Sequence, residues 1–84
     1  MHRLTKNQVK TAILTLKALK KADRPLKLDE IAQEIGLSKS SAHRYMSMLT
    51  HVRIIEHSPN KQGFDVGEKA LDYLIAWGLE EKGA

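Results

Sequence analysis

The chain has 84 residues, no cysteine and a net charge of +4 at neutral pH. That length supports one domain with a thin core, because a chain of this size buries only about 60% of its unfolded surface. No segment approaches the roughly 20 apolar residues of a membrane span, the N-terminus MHRLTKNQVK lacks a signal-peptide apolar run, and without cysteine there are no disulfides, thiolate nucleophiles or cysteine-based zinc sites.

The charge is unevenly spread. From Met1 to Lys27 there are eight Lys or Arg against one acid, Asp23; from Glu68 to the end there are two basic residues against four acids. A basic front and a mildly acidic tail fit a polyanion on one side of the molecule, although a solvated basic helix has the same composition. The expected location is the cytoplasm, with nucleoid association if the protein binds DNA.

Thr5 and Gln8 form a Thr-x-x-Gln capping pair, which predicts a first helix from about Lys6 to Lys21. Val9, Ala12, Ile13, Leu16 and Leu19 make its apolar stripe, while Lys6, Lys10, Lys17 and Lys21 project within roughly 60° of one another elsewhere. This row reads either as phosphate contact or as a solvated face. Leu14 lies off the stripe and is a candidate dimer contact.

Pro25 ends that helix by lacking an N–H and by biasing Arg24 away from the helical region. Leu26, Lys27 and Leu28 alternate and predict a very short edge strand.

Leu28 to His57 predicts two helices around a tight turn. Asp29 is expected to cap the first, with Glu30 in its first turn and Ile31, Ala32 and Ile35 on one face. Gly36 can take the positive φ that stops a helix and reverses the chain. Leu37 fills the corner. Ser38 then caps a helix of about a dozen residues whose apolar positions are Ala42, Tyr45, Met46 and Leu49. Its opposite face carries Lys39, Ser40, His43, Arg44 and Ser47. Short hydrogen-bonding and cationic side chains in the first two turns are what a helix needs to read a major groove, and the motif is a helix-turn-helix.

Val52 to Ser58 predicts a strand, SPNKQG a turn, and Phe64 to Val66 the return strand. A hairpin with a Lys-bearing tip after such a helix is a wing, positioned for a phosphate backbone or minor groove. Gly67 marks a junction, and a last helix is expected from Glu68 to about Leu79, or as far as Glu81. Ala70, Leu71, Leu74 and Ile75 are expected to face inward. Tyr73 and Trp77 then form a second apolar edge, read as a homodimer interface together with Leu14 and Leu74.

The expected order is helix, short strand, helix, helix, strand, wing, strand, helix: mainly α with a small β-hairpin, a winged helix-turn-helix. One domain is expected over residues 1–84, with 29–51 the helix-turn-helix, 54–66 the wing and 68–81 the C-terminal helix.

The run LKLDEIAQEIGLSKSSAHRYMSMLTHVRIIEHSPNKQGFDVGEKALDYL, from Leu26 to Leu74, resembles the DNA-binding domain of IclR-type transcriptional regulators. Its most telling segments are EIAQEIGLSKSSAHRYMSML and FDVGEKALDYL. The resemblance implies that Ser38, Lys39, Ser40, Ser41, His43 and Arg44 meet DNA, with Lys61 and Gln62 at the wing tip. Regulators of this type normally carry a large C-terminal ligand-binding domain. This chain ends at Ala84, and no small-molecule effector is expected.

The chemistry then divides by residue type. Ser40, His43, Arg44 and Ser47 are expected at base edges, with Arg44 the best guanine reader because a guanidinium can donate to both O6 and N7. Ser38, Lys39, Ser41, Arg53, Lys61 and Gln62 are expected on the DNA backbone. Duplex DNA and a second copy of the chain are the expected partners.

The four histidines, His2, His43, His51 and His57, show no metal-ligand spacing, and no Gly-rich phosphate loop or activated nucleophile is present. The chain is read as a non-enzyme without cofactor or metal. Two rivals to a sequence-reading regulator are a protein-interaction winged helix in a larger assembly and a non-specific architectural DNA binder.

Overall fold

The computed structural model describes residues 3–60 and 62–78. Helix α1 spans Lys6–Ala22, α2 Leu28–Ile35, α3 Lys39–His51 and α4 Ala70–Ala76; strands β1, Ile55–His57, and β2, Phe64–Val66, form an antiparallel hairpin. Four helices and this hairpin make a winged helix.

Helix α1 begins at the expected capping box. The Thr5 hydroxyl accepts from the Gln8 N–H at 3.1 Å and the Gln8 side chain accepts from the Thr5 N–H at 2.8 Å. It ends at Asp23, left-handed with φ 56°, a conformation that a short polar side chain tolerates. Ala12, Leu16 and Leu19 are buried against Ile31 of α2 and Met46 and Leu49 of α3. Thr15 is fully buried among them, and its hydroxyl donates to the Thr11 carbonyl, so no polar atom is stranded.

The expected first strand is a single antiparallel bridge, in which Leu26 and Phe64 exchange both backbone hydrogen bonds. The following helix starts at Leu28 and its N-cap is Lys27, so Asp29 is not the cap but lies inside the first turn. The reason is Glu30, whose carboxylate accepts from the Lys27 N–H and is gripped by Arg24, fixing the start two residues early. Gly36 closes α2 at φ 77° and Ser38 opens α3 by accepting from the Ser41 N–H, both as expected.

The end of α3 differs from the expected strand. Val52 caps the helix, Arg53 is left-handed at φ 67°, and the N–H groups of Arg53 and Ile54 return to the Thr50 and Leu49 carbonyls. This is a Schellman closure with arginine where glycine is usual. Only Ile55–His57 remains for β1, paired Ile55 with Val66, Glu56 with Asp65 and His57 with Phe64.

Helix α4 starts later than expected, after a turn in which the Ala70 N–H returns to the Gly67 carbonyl, and this turn is docked on the end of α3. The Gly67 N–H donates to the Ile54 carbonyl and the Lys69 N–H to the Arg53 carbonyl. That docking also rotates α4. Ala70 and Tyr73 are buried, Leu74 and Trp77 half-buried, and Leu71 and Ile75 are each 54% exposed. The inward set expected from periodicity is therefore corrected: Tyr73 belongs to the core, and Leu71 and Ile75 form the outer edge. Any continuation from Leu79 to Glu81 lies outside the described residues.

Candidate nucleic-acid interface

The site begins with the turn that presents α3. Gly36 reverses the chain, the Leu37 N–H is held by the Ala32 carbonyl, and Ser38 satisfies the first turn of α3. Ala42, Met46 and Leu49 are buried, which fixes the opposite face outward. On that face Ser40, His43, Arg44 and Ser47 are all exposed. Ser40 and Ser47 each lie one turn from the adjacent pair His43 and Arg44, so the helix presents a continuous strip of hydroxyl, imidazole and guanidinium groups. His51 is exposed one turn beyond Ser47. The repeat 43, 47, 51 could have identified it in the sequence.

The six residues expected at a DNA backbone fall into different settings. Ser38 and Lys39 are exposed at the start of α3, whereas Ser41 is half-buried. The Ser41 hydroxyl lies 3.5 Å from the Arg44 Nη2 and steadies that side chain from its own helix. Arg53 is exposed in the turn after α3, and Gln62 is exposed in the wing loop. Lys61 lies outside the described residues. The wing loop is braced by Asn60, whose carbonyl oxygen accepts from the Ser58 hydroxyl and the Gln62 N–H.

Two cations of this surface hold carboxylates. Lys39 lies 3.3 Å from Asp29, and Arg53 lies 2.8 Å from Glu68. From the sequence Asp29 is a helix cap, and nothing there singles out Glu68. No local pattern links positions ten and fifteen residues apart, so only the fold reveals the pairs. Arg44 has no ion pair among the described residues.

Behind the site, Arg24 and Glu30 form a 2.9 Å ion pair that braces the start of α2. The Arg24 hydrogen bond and the Lys27 backbone N–H hold the Glu30 carboxyl down from its ordinary 4.5 to about 2, and Arg24 is raised in turn. Among the described residues, no three His, Cys, Asp or Glu side chains gather as metal ligands, and no helix is long and apolar enough to cross a membrane.

Residues 12–59 match the IclR helix-turn-helix domain. The matched segment holds α2, the turn, all of α3 and β1. Comparison with curated protein sequences gives no match. Among solved structures, the fold is similar to the repressor BlcR of Agrobacterium tumefaciens, with a TM-score of 0.70 and 20% identity over 93% of this chain and 31% of that one. It is similar to an IclR transcriptional regulator of Alicyclobacillus acidocaldarius, at TM-score 0.67 and 26% identity over 89% of this chain and 29% of that one. An IclR homolog from Microbacterium sp. strain HM58-2 gives TM-score 0.70 and 16% identity over 82% and 29%. The chain spans less than a third of the length of each.

Proposed function

Because the chain belongs to the IclR helix-turn-helix domain family, we propose that it is a transcriptional regulator that binds duplex DNA sequence-specifically, with α3 in the major groove and the wing on the backbone or minor groove. One observation carries this reading: the exposed strip of Ser40, His43, Arg44 and Ser47 on a helix whose other face is locked into the core. Those four side chains read base edges, and Arg44 reads guanine. Ser38, Lys39, Ser41, Arg53, Lys61 and Gln62 hold the backbone, which orients the helix without specifying sequence. Residues 29–51 act as the helix-turn-helix and 54–66 as the wing of one domain, with α4 following the wing.

The protein acts as a homodimer, so that two recognition helices read a two-fold symmetric site. Because Tyr73 is buried in the core, the exposed residues beside it support a dimer surface on the outer edge of α4 instead. There Leu71 and Ile75 are exposed beside half-buried Leu74 and Trp77. Leu14, 38% exposed on α1, is a lesser contact.

The test is selection of bound duplexes from a random-sequence pool, run beside a variant with Ser40, His43 and Arg44 changed to Ala. Enrichment of a two-fold symmetric motif by the wild type alone is expected. Binding without enrichment would favour an architectural role, and no binding by a folded protein would exclude DNA as the partner.

A further inference from the structure

Helix α1 contains five lysines and no acidic residue, and no acid occupies its first turn. Lys6, Lys10, Lys17, Lys20 and Lys21 fall within roughly 100° of one another by the helical period and extend over about 22 Å of helix. All five are exposed. Lys21 pairs with Glu34 at 3.6 Å, while Lys6, Lys10, Lys17 and Lys20 have no ion pair among the described residues.

Such a stripe is costly for the helix itself. Lys6 sits at the positive end of the dipole, and Lys6 with Lys10 and Lys17 with Lys21 are like-charged neighbours one turn apart. Lys20 and Lys21 favour the negative end of the helix dipole, but Lys6, Lys10 and Lys17 gain nothing from it, and an external polyanion would relieve the repulsion along the row.

The stripe is not part of the face described above. Its opposite side, Ala12, Leu16 and Leu19, packs into the core that also holds Met46 and Leu49 from the inner side of α3. The core thus separates the outer faces of α1 and α3. The molecule measures 21 Å in its shortest dimension, more than twice the roughly 8 Å screening length at physiological salt. A duplex seated on α3 therefore leaves the lysines of α1 unneutralised.

We propose that the outer face of α1 is a second, sequence-independent binding surface for the phosphate backbone of another DNA segment, so that the protein bridges two duplexes. The inference rests on the DNA-binding reading of α3. Lysine is a point charge on a flexible stem, suited to phosphate rather than to base edges. The row contains no arginine and no aromatic residue; Ile13 within it is half-buried, and Leu14 at its margin, 38% exposed, is a single leucine rather than a seam. An amphipathic protein segment would require an exposed apolar seam between the charges. The row instead matches a continuous line of phosphates. Two-fold pairing through this face would set lysine against lysine, which favours α4 for the dimer.

Bridging is measured by loading the protein on an immobilised duplex that it selects, then adding a fluorescent duplex of unrelated sequence. The wild type should capture the second duplex whatever its sequence, with a log affinity against log salt slope of about −3 to −4 for four phosphates. Lys6, Lys10, Lys17 and Lys20 are changed together to Gln, a good helix former, and helicity is checked by circular dichroism. This variant should keep first-duplex affinity within about twofold, given the screening, while losing most of the capture. A variant with His43→Ala and Arg44→Ala should lose the selected sequence yet retain salt-sensitive binding through α1.

Capture by the lysine variant equal to wild type would overturn the second surface, because bridging would then run through two recognition helices. Parallel loss of both affinities would also overturn it, by merging the stripe with the first site. Retention of the first duplex without capture of a second removes this inference alone, whereas failure of the wild type to retain any duplex removes the DNA reading with it.

Discussion

Lys39, the first residue of α3, lies 3.3 Å from the carboxylate of Asp29 in the first turn of α2. Both side chains are more than two-thirds exposed, so the pair contributes little to folding. Its consequence is for binding, since a phosphate approaching Lys39 also meets a fixed negative charge.

Asp29→Asn should therefore tighten DNA binding by about two- to fivefold, the order of one exposed ion pair. Glu68→Gln, which releases Arg53, should act in the same direction. Fluorescence anisotropy at fixed salt measures both, and weaker binding by either variant would remove its cation from the backbone contacts.

Gly67 should tolerate no side chain. A Cβ there would lie 2.3 Å from the Arg53 carbonyl oxygen and 2.8 Å from the Ile54 carbonyl carbon, both of them backbone atoms. Gly67→Ala should cost about 1–3 kcal/mol or more, because α4 must separate from the end of α3. Gly36→Ala meets nothing within 4 Å and should cost about 1–2 kcal/mol through its positive φ alone. Urea denaturation of the two variants separates steric from conformational cost.

Tyr73 and Leu71, two residues apart on α4, should respond in opposite ways. Tyr73→Ala empties a buried site and should destabilise the fold by about 3–5 kcal/mol, as for other large aromatic side chains. Leu71→Ala, especially with Ile75→Ala, should change monomer stability by less than about 0.5 kcal/mol, since surface sites contribute little. That pair should instead shift a dimer towards monomer in light scattering. An unchanged dimer mass would place the interface elsewhere.

Glu30 gives the acid limb of stability a defined direction. Its carboxyl is lowered in the folded protein from 4.5 to about 2, so the folded state binds fewer protons than the unfolded chain in that interval. The stabilisation is present above about pH 4.5 and is lost as pH falls towards 2. Relative to Glu30→Gln, the wild type should be more stable near neutral pH and converge with it at the acid end. High salt should shrink the difference, because the pair with Arg24 is exposed. A constant difference across the range would contradict the pairing.

The sequence by itself determined the features whose partners lie within a turn of helix or a tight loop. The Thr5–Gln8 box, the Gly36 reversal, the Ser38 cap and the Phe64–Val66 strand each depend on chemistry a few residues apart, and each stands as read. The polar strip of α3 was legible for the same reason, since a helical period sets its neighbours. Tertiary structure decided what depends on distant backbone. Arg24 moved the start of α2 by gripping Glu30, and the bonds from Gly67 and Lys69 to the Ile54 and Arg53 carbonyls hold α4 with Tyr73 inward. Periodicity gives the angle between residues on a helix but not the rotation of that helix about its axis. The bonds to the end of α3 fixed that rotation, and with it which apolar side chains of α4 remain outside.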